Sequence, residues 1–291
     1  MNNIKCIFCY TNQTKEKSYI FKLKFNNKEY HYYKCNSCKI YFVHPIPSKE
    51  DLNNIYNQNY YSSFYMKKTD EDEEFKRFYN KIKKYINLND IILDYGCGDG
   101  KFLKLLTNKN YKIFGTDLPS KMLENLTENK LNIVPLNKLL KIKKEFKVIY
   151  LRDVFEHSHE PVKLIKNLEQ LLLDNGYLII DGPVEKNFSL INYLIILNYK
   201  IKKTFRNNLF ENAPYHLSLF SKNQLINFLS STTISLKIVD LELYETGWPL
   251  QGNGLVKNLI AKMSIFFSKI FYLRKFYGNR MILILKKNEK N

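Results

Sequence analysis

Arginine is scarce in this chain. Of 46 basic residues only Arg77, Arg152, Arg206, Arg274 and Arg280 are arginine, and the rest are lysine. A dedicated phosphate reader uses the planar fork of arginine. The net charge of +18 therefore does not by itself mark a nucleic-acid binder. Abundant lysine, asparagine, isoleucine and tyrosine read as the codon bias of an AT-rich genome. Long apolar runs are also missing. No stretch approaches the roughly 18 residues of a membrane span, which argues against a transmembrane helix. Met1 to Cys6 hold no apolar segment, so no signal peptide is expected. Both absences point to the cytoplasm, where thiols stay reduced. Tryptophan occurs once, as Trp248, and there are only 10 glycines and 5 cysteines.

Three of those glycines sit at alternate positions in one turn. The apolar run Ile91, Ile92, Leu93 stops at Asp94, and Gly96, Gly98 and Gly100 follow. A helix-like pattern then begins with Phe102, Leu103, Leu105 and Leu106. Strand, glycine turn and helix in that order form a ligand site at the carboxyl edge of an open sheet. The glycines allow close approach of backbone to ligand, and the helix start offers free N–H groups. The dinucleotide fingerprint needs glycine or alanine where Lys101 stands, so a nicotinamide cofactor fits poorly. A second apolar segment, Tyr111 to Thr116, ends in Asp117. That acid lies 19 residues after Gly98, near the distance at which a carboxylate meets a ribose diol.

The form Asp-x-Gly-x-Gly-x-Gly resembles motif I of the class I S-adenosylmethionine (SAM)-dependent methyltransferases. The resemblance implies that Asp94, Gly96, Cys97, Gly98 and Gly100 hold the methionine end of SAM. Asp117 would bind its ribose, with Leu118 and Pro119 against the adenine. Cys97 reads as a small residue packed under the cofactor. The acid or amide that usually precedes the fourth strand is reduced here to Asn137.

Four of the five cysteines form two Cys-x2-Cys pairs, Cys6 with Cys9 and Cys35 with Cys38. Two such knuckles complete a tetrahedral zinc site. Four thiolates leave no open position, so such a zinc is structural. Tyr19–Leu23 and Tyr30–Lys34 flank Asn26 and Asn27 as a hairpin would.

Zinc knuckles, then Tyr41-Phe42-Val43-His44-Pro45, then a tyrosine-rich helix and motif I are similar to one bacterial methyltransferase family. Its members carry an N-terminal zinc-binding segment and often act on sugars, nucleotide sugars or surface glycans. The strings Glu156-His157-x-x-x-Pro161 and His216-Leu217-x-x-Phe220-Ser221 also resemble that family. They imply an acceptor site in which His216, with His157, is the general-base candidate. Asp153 is expected at the cofactor, with Arg152 beside the pocket. The members that methylate carbon on nucleotide sugars carry a long further C-terminal domain, which is not expected within these 291 residues.

The expected fold is α/β: a Rossmann-like class I methyltransferase sheet, mostly parallel with an antiparallel last strand, plus a small zinc-ribbon-like module. The expected divisions are 1–47 for that module, 48–86 for a helical lid or linker, and 87–291 for the SAM-binding domain. Insertions are expected at about 185–215 and 247–276. A capping-box variant at Ser48 and Asp51 starts the helical segment, where Tyr56, Tyr60, Tyr61 and Tyr65 recur at helical spacing. Further strands are expected at 132–135, 146–151, 176–181, 234–244 and 280–286, and helices at 160–173, 222–230 and 255–276. The last of these is basic and amphipathic, and such a helix can lie on a membrane surface.

The leading reading is SAM-dependent O-methylation of a sugar, a surface glycan precursor or another small metabolite, in the cytoplasm or at the inner membrane surface. Two others remain open: an RNA methyltransferase whose zinc module grips RNA, and a non-catalytic interaction protein on the same fold.

Overall fold

In chain order the protein holds β1 (Thr14–Glu16), β2 (Lys22–Phe25), β3 (Lys28–Cys35), β4 (Tyr41–His44), α1 (Lys49–Asn57) and α2 (Glu71–Ile82). There follow β5 (Ile91–Tyr95), α3 (Lys101–Thr107), β6 (Lys112–Thr116), α4 (Lys121–Glu128), α5 (Leu136–Leu139), β7 (Phe146–Arg152) and α6 (Pro161–Leu171). The chain ends with β8 (Leu172–Pro183), α7 (Leu190–Phe205), β9 (Glu211–Asn212), β10 (Ser218–Leu219), α8 (Lys222–Thr232), β11 (Leu236–Tyr244), α9 (Leu255–Lys269) and β12 (Arg280–Lys287). This computed structural model describes residues 4–12, 14–16, 22–57, 71–119, 121–139, 141, 145–205, 211–233, 235–250, 254–270 and 273–289.

The larger sheet has the order β11-β12-β8-β7-β5-β6. Strands β6, β5, β7 and β8 are parallel, and β12 runs antiparallel between β8 and β11. The chain winds outward from β5 to β6, then crosses back to β7. That reversal opens a crevice above the carboxyl ends of β5 and β7, where open α/β sheets bind ligands. The expected α/β layout with its one reversed strand is therefore present.

β8 starts four residues before the expected strand, at Leu172, directly after α6, and two other elements differ from expectation. The strand expected at 132–135 is a single bridge between Ile133 and Gly115. Pro135 has no N–H for a ladder, and the chain turns there into α5. The helix expected over 255–276 stops at Lys269, because Ile270 takes an extended backbone (ψ 128°). A short 3₁₀ turn at Leu273–Lys275 follows. The tyrosine lid reading falls largely on residues 58–70, outside those described. Its capping box is present: the Ser48 hydroxyl accepts from the Asp51 N–H at 3.0 Å, and Asp51 accepts from the Ser48 N–H at 3.3 Å.

The smaller sheet has the order β10-β4-β3-β2-β9, with β1 beside β3. Asn26 and Asn27, at φ 48° and 59°, close the β2–β3 hairpin. Two consecutive left-handed residues are what a type I′ turn needs, and asparagine tolerates them. The edge strands β9 and β10 come from 211–219, so the segment after α7 completes the N-terminal sheet.

The two sheets share one core. Phe8, beside the first cysteine pair, packs edge-on against Phe228 of α8 at 5.1 Å and near Phe155 at 6.3 Å. Burying one such ring contributes about 2–3 kcal/mol. On the opposite face of the large sheet, Phe78 of α2 stacks on Tyr150 at 4.2 Å and meets Phe102 edge-on at 5.1 Å.

Candidate active site

The glycine turn is built backbone first. Gly96, Gly98 and Gly100 have φ of 81°, 51° and 71°, a region in which other residues are strained. The Gly96 and Cys97 N–H groups donate to the Thr116 carbonyl at 2.8 and 3.1 Å, which ties the turn to the end of β6. A Cβ on Gly96 would lie 2.3 Å from Val154 Cγ2, and one on Gly100 would lie 2.8 Å from Leu126 Cδ2. A Cβ on Gly98 would meet nothing within 4 Å. Packing thus requires two of the glycines, whereas the third faces open space.

Asp117 stands at the rim of that space. Its carboxylate accepts the Gly98 N–H at 2.7 Å and the Leu118 N–H at 2.6 Å. Beside it the buried Thr116 hydroxyl has no partner among the described residues. Asp94 is only 3% exposed. Burial, then the negative charge of Asp117, pushes its carboxyl up to about 8. A cation at this place would offset both effects. Leu118 is largely exposed and free to cover a flat ring. Asn137 is exposed on α5, away from any described contact. Cys97 is buried with its sulfur against Gly115. Burial raises its thiol well above the ordinary range, so it is a packing residue and not a nucleophile.

An open cradle at Gly98, an unpartnered hydroxyl and a carboxylate at ribose distance fit SAM. Those residues would hold it: Gly96, Gly98 and Gly100 by backbone, Asp94 near its charged end and Asp117 at the sugar.

The second half of the site lies across Val154. After β7 the chain enters a 3₁₀ turn at Phe155–His157. His157 Nδ1 lies 2.6 Å from the Tyr215 carbonyl. A carbonyl only accepts, so Nδ1 carries the proton and Nε2 keeps a lone pair. That Nε2 is 3.7 Å from Glu156 Oε1, a buried oxygen without a hydrogen-bond partner among the described residues. The His157 and His216 rings meet edge to face at 4.9 Å. His216 Nδ1 is 2.5 Å from Glu185 Oε1. The two histidines, 59 positions apart in sequence, are thus neighbours with a carboxylate on either side.

Their protonation differs with their surroundings. Burial, then the neighbouring His216, lowers His157 to about 3. Burial lowers His216 as well, but the Glu185 carboxylate overrides it by charge and hydrogen bond and holds the ring at about 9. Burial, then the charge of Asp153, pushes Glu156 up to about 8. At neutral pH the cluster is a neutral His157, a protonated Glu156 and a His216–Glu185 ion pair.

The N-terminal sheet positions this cluster. Tyr32 OH donates to the His216 carbonyl at 2.7 Å, and the Val43 N–H donates to the Leu217 carbonyl at 2.9 Å. The Leu217 N–H in turn donates to the Glu156 carbonyl at 2.9 Å. The histidine loop is therefore stitched between β3, β4 and the turn after β7.

Asp153, expected at the cofactor, directly follows β7. It adopts a left-handed backbone (φ 52°) and pairs with Arg280 at 2.8 Å. Arg280 Nε donates to Tyr244 OH at 2.9 Å, and Tyr244 OH donates to the buried Asp181 at 2.6 Å. Arg152 lies 3.7 Å from Asp181 and covers the Phe75 ring at 4.7 Å. Arg77 stacks on Tyr244 at 4.4 Å. Three of the five arginines thus gather at one sheet edge, where planar stacking and forked bonding distinguish arginine from lysine. Glu185, Arg280 and Tyr244, which join these clusters, are not among the residues that the sequence singled out as candidates; the scarcity of arginine was the signal available for Arg280.

The four N-terminal cysteines form a second centre. Cys6 Sγ lies 3.7 Å from Cys38 Sγ, and Cys9 Sγ lies 3.4 Å from Cys35 Sγ. All four sulfurs fall within 4.8 Å of one another. The two turns repeat one geometry. Phe8 N–H donates to Cys6 Sγ at 3.4 Å, as Ser37 N–H does to Cys35 Sγ at 3.3 Å. The residue after each pair, Tyr10 and Lys39, is left-handed at φ 59° and 64°. A tetrahedral zinc with 2.3 Å bonds sets sulfurs about 3.8 Å apart, so this donor set fits the ion.

A family model described as a methyltransferase domain matches residues 66–236, more than half of the chain. No curated protein sequence matches it. A SAM-dependent methyltransferase from Archaeoglobus fulgidus is 21% identical, with a TM-score of 0.50 over 77% of this chain and 100% of that one. A protein from Pyrococcus horikoshii is 14% identical, at 0.51 over 80% and 99%. A Burkholderia thailandensis 1,6-didemethyltoxoflavin-N1-methyltransferase with bound S-adenosylhomocysteine is 10% identical, at 0.51 over 92% and 100%. Its fold is shared with solved SAM-dependent methyltransferases, and the chain belongs to the methyltransferase-domain family of enzymes.

Proposed function

We propose that the enzyme methylates a hydroxyl of a sugar, glycan precursor or other small polar acceptor, with the His216–Glu185 pair as base. The observation that carries this reading is the gathering of His157, His216, Glu156 and Glu185 at a turn whose preceding residue, Val154, packs against Gly96 of the cradle. SAM supplies a methyl group already activated on a cationic sulfur, so the protein's main task is alignment. Neutral, protonated Glu156 donates to an acceptor oxygen. His157 Nε2 accepts a second sugar hydroxyl. His216 takes the reacting hydroxyl's proton once its own has left, and Glu185 keeps the ring oriented.

The same reading gives the N-terminal module a task. A zinc ion on Cys6, Cys9, Cys35 and Cys38 fixes β3 and β4, and these hold the histidine loop through Tyr32 and Val43. The metal is structural, since four cysteines fill a tetrahedral shell.

Incubation with methyl-labelled SAM and fractionated sugar and glycan precursors tests the proposal. Label on an acceptor oxygen, abolished in His216→Ala, supports it. Transfer undiminished in His216→Ala, or label appearing only on RNA, overturns it.

A further inference from the structure

Helix α9 is turned the wrong way for a helix of an isolated protein. Its buried positions are Ala261, Ser264 and Ser268, all small. Its large apolar side chains point outward: Leu255 is 91% exposed, Leu259 60% and Phe266 63%. An ordinary surface helix buries its apolar stripe and wets the other.

The orientation is fixed by hydrogen bonds from within. Ser264 Oγ donates to Glu245 at 3.2 Å and lies 2.5 Å from Tyr277 OH. Ser189, at the start of α7, donates to the same buried carboxylate at 2.7 Å. Rotating α9 to hide Leu259 and Phe266 would break both Ser264 bonds and leave buried polar groups without those partners, a penalty of about 1–3 kcal/mol for each left unpaired.

Helix α7 touches α9 and repeats the pattern. Tyr193, Leu197 and Ile201, spaced four residues apart, are 60%, 39% and 49% exposed. Neither helix contains an aspartate or glutamate. Lys200, Lys257, Lys262 and Lys269 stand exposed around the apolar stripes. Among the described residues no helix is long and apolar enough to cross a membrane.

We propose that α7 and α9 form a surface that lies on an anionic lipid bilayer. Apolar stripes with a lysine rim and no acid match the interfacial mode of binding. Charge selects this occupant over a second copy of the chain. A dimer across this face would set lysines against lysines, whereas anionic headgroups neutralise them. The surface also sits at the active edge: α7 follows Glu185, the partner of His216, after a short turn. Resting on the methyl-transfer reading, this placement makes the acceptor a membrane-held, lipid-anchored molecule whose polar head enters the site.

Cosedimentation of the full chain with phosphatidylcholine vesicles, with and without phosphatidylserine, tests the surface. Each lysine near an anionic membrane contributes about 1 kcal/mol, so binding should be at least about tenfold tighter with phosphatidylserine. The Leu259→Glu/Phe266→Glu variant should lose that binding with unchanged melting and SAM affinity, because both side chains are exposed. Wild-type protein that ignores anionic vesicles overturns the proposal. So does a variant that binds them as well as wild type, or a wild-type dimer that the variant converts to monomer. Failure of vesicle binding with SAM binding intact removes only the membrane surface. Failure of SAM binding removes the methyl-transfer reading and leaves the vesicle result standing.

Discussion

Gly98→Ala separates the cradle's two duties, folding and binding. Added at Gly98, a Cβ meets no protein atom within 4 Å. The folded state therefore loses only the strain of alanine at φ 51°, roughly 1–2 kcal/mol for a left-handed residue. In a chain of this size that lowers the melting temperature by a few degrees, at about 2–4 °C per kcal/mol. The new methyl, however, fills the space assigned to the ligand. Displacing the cofactor from van der Waals contact should weaken SAM binding by at least about tenfold, or 1.4 kcal/mol. Gly96→Ala gives the contrast. Its Cβ would lie 2.3 Å from Val154 Cγ2, and overpacking adds about 1–3 kcal/mol to the backbone strain. Differential scanning fluorimetry and titration calorimetry on both variants read the difference. Equal SAM affinity in folded Gly98→Ala and wild type would refute the reasoning.

Three further outcomes are expected. The rate of methyl transfer should peak between about pH 8 and 9, rising as His216 loses its proton and falling as Glu156 loses the one it donates; Glu185→Gln should move the rising limb to lower pH, and an unmoved profile would show that Glu185 does not hold the ring. Stability of the ligand-free protein should fall from about pH 6.5 to 9. Asp94 and Glu156, raised to about 8, and His216, raised to about 9, all favour their protonated forms in the native state, and that contribution is lost as each titrates; a melting temperature rising across this window would contradict it. One zinc per chain should be found by elemental analysis, and strong chelation or Cys9→Ser should lower the melting temperature by roughly 10 °C or more, given the several kcal/mol such sites supply to folding; a metal-free protein of unchanged stability would remove the structural zinc.

The parts legible in the sequence are those made by neighbours along the chain. The turn from Asp94 to Gly100 and the two cysteine pairs each carry their chemistry within a few residues, so spacing alone locates them. Asp117 was found because one strand and one helix fix its distance. The His216–Glu185 pair was half legible: His216 stood out, but its partner Glu185 is 31 residues away and is brought over by the loop after β8. Tyr32, 184 residues from His216, gave no local signal at all. The strand expected at 132–135 failed on Pro135, whose missing N–H outweighed the apolar run. For α9 the periodicity was visible, but which face turns inward was set by Glu245 and Tyr277, which no helical pattern records.

Titration calorimetry of the wild-type chain with SAM tests the central claim most directly. The account predicts saturable binding of one SAM per chain, lost or weakened at least about tenfold in Asp117→Ala, since Asp117 is the carboxylate proposed to meet the ribose. Folded wild-type protein that takes up no SAM, or Asp117→Ala that binds it undiminished, would contradict the claim.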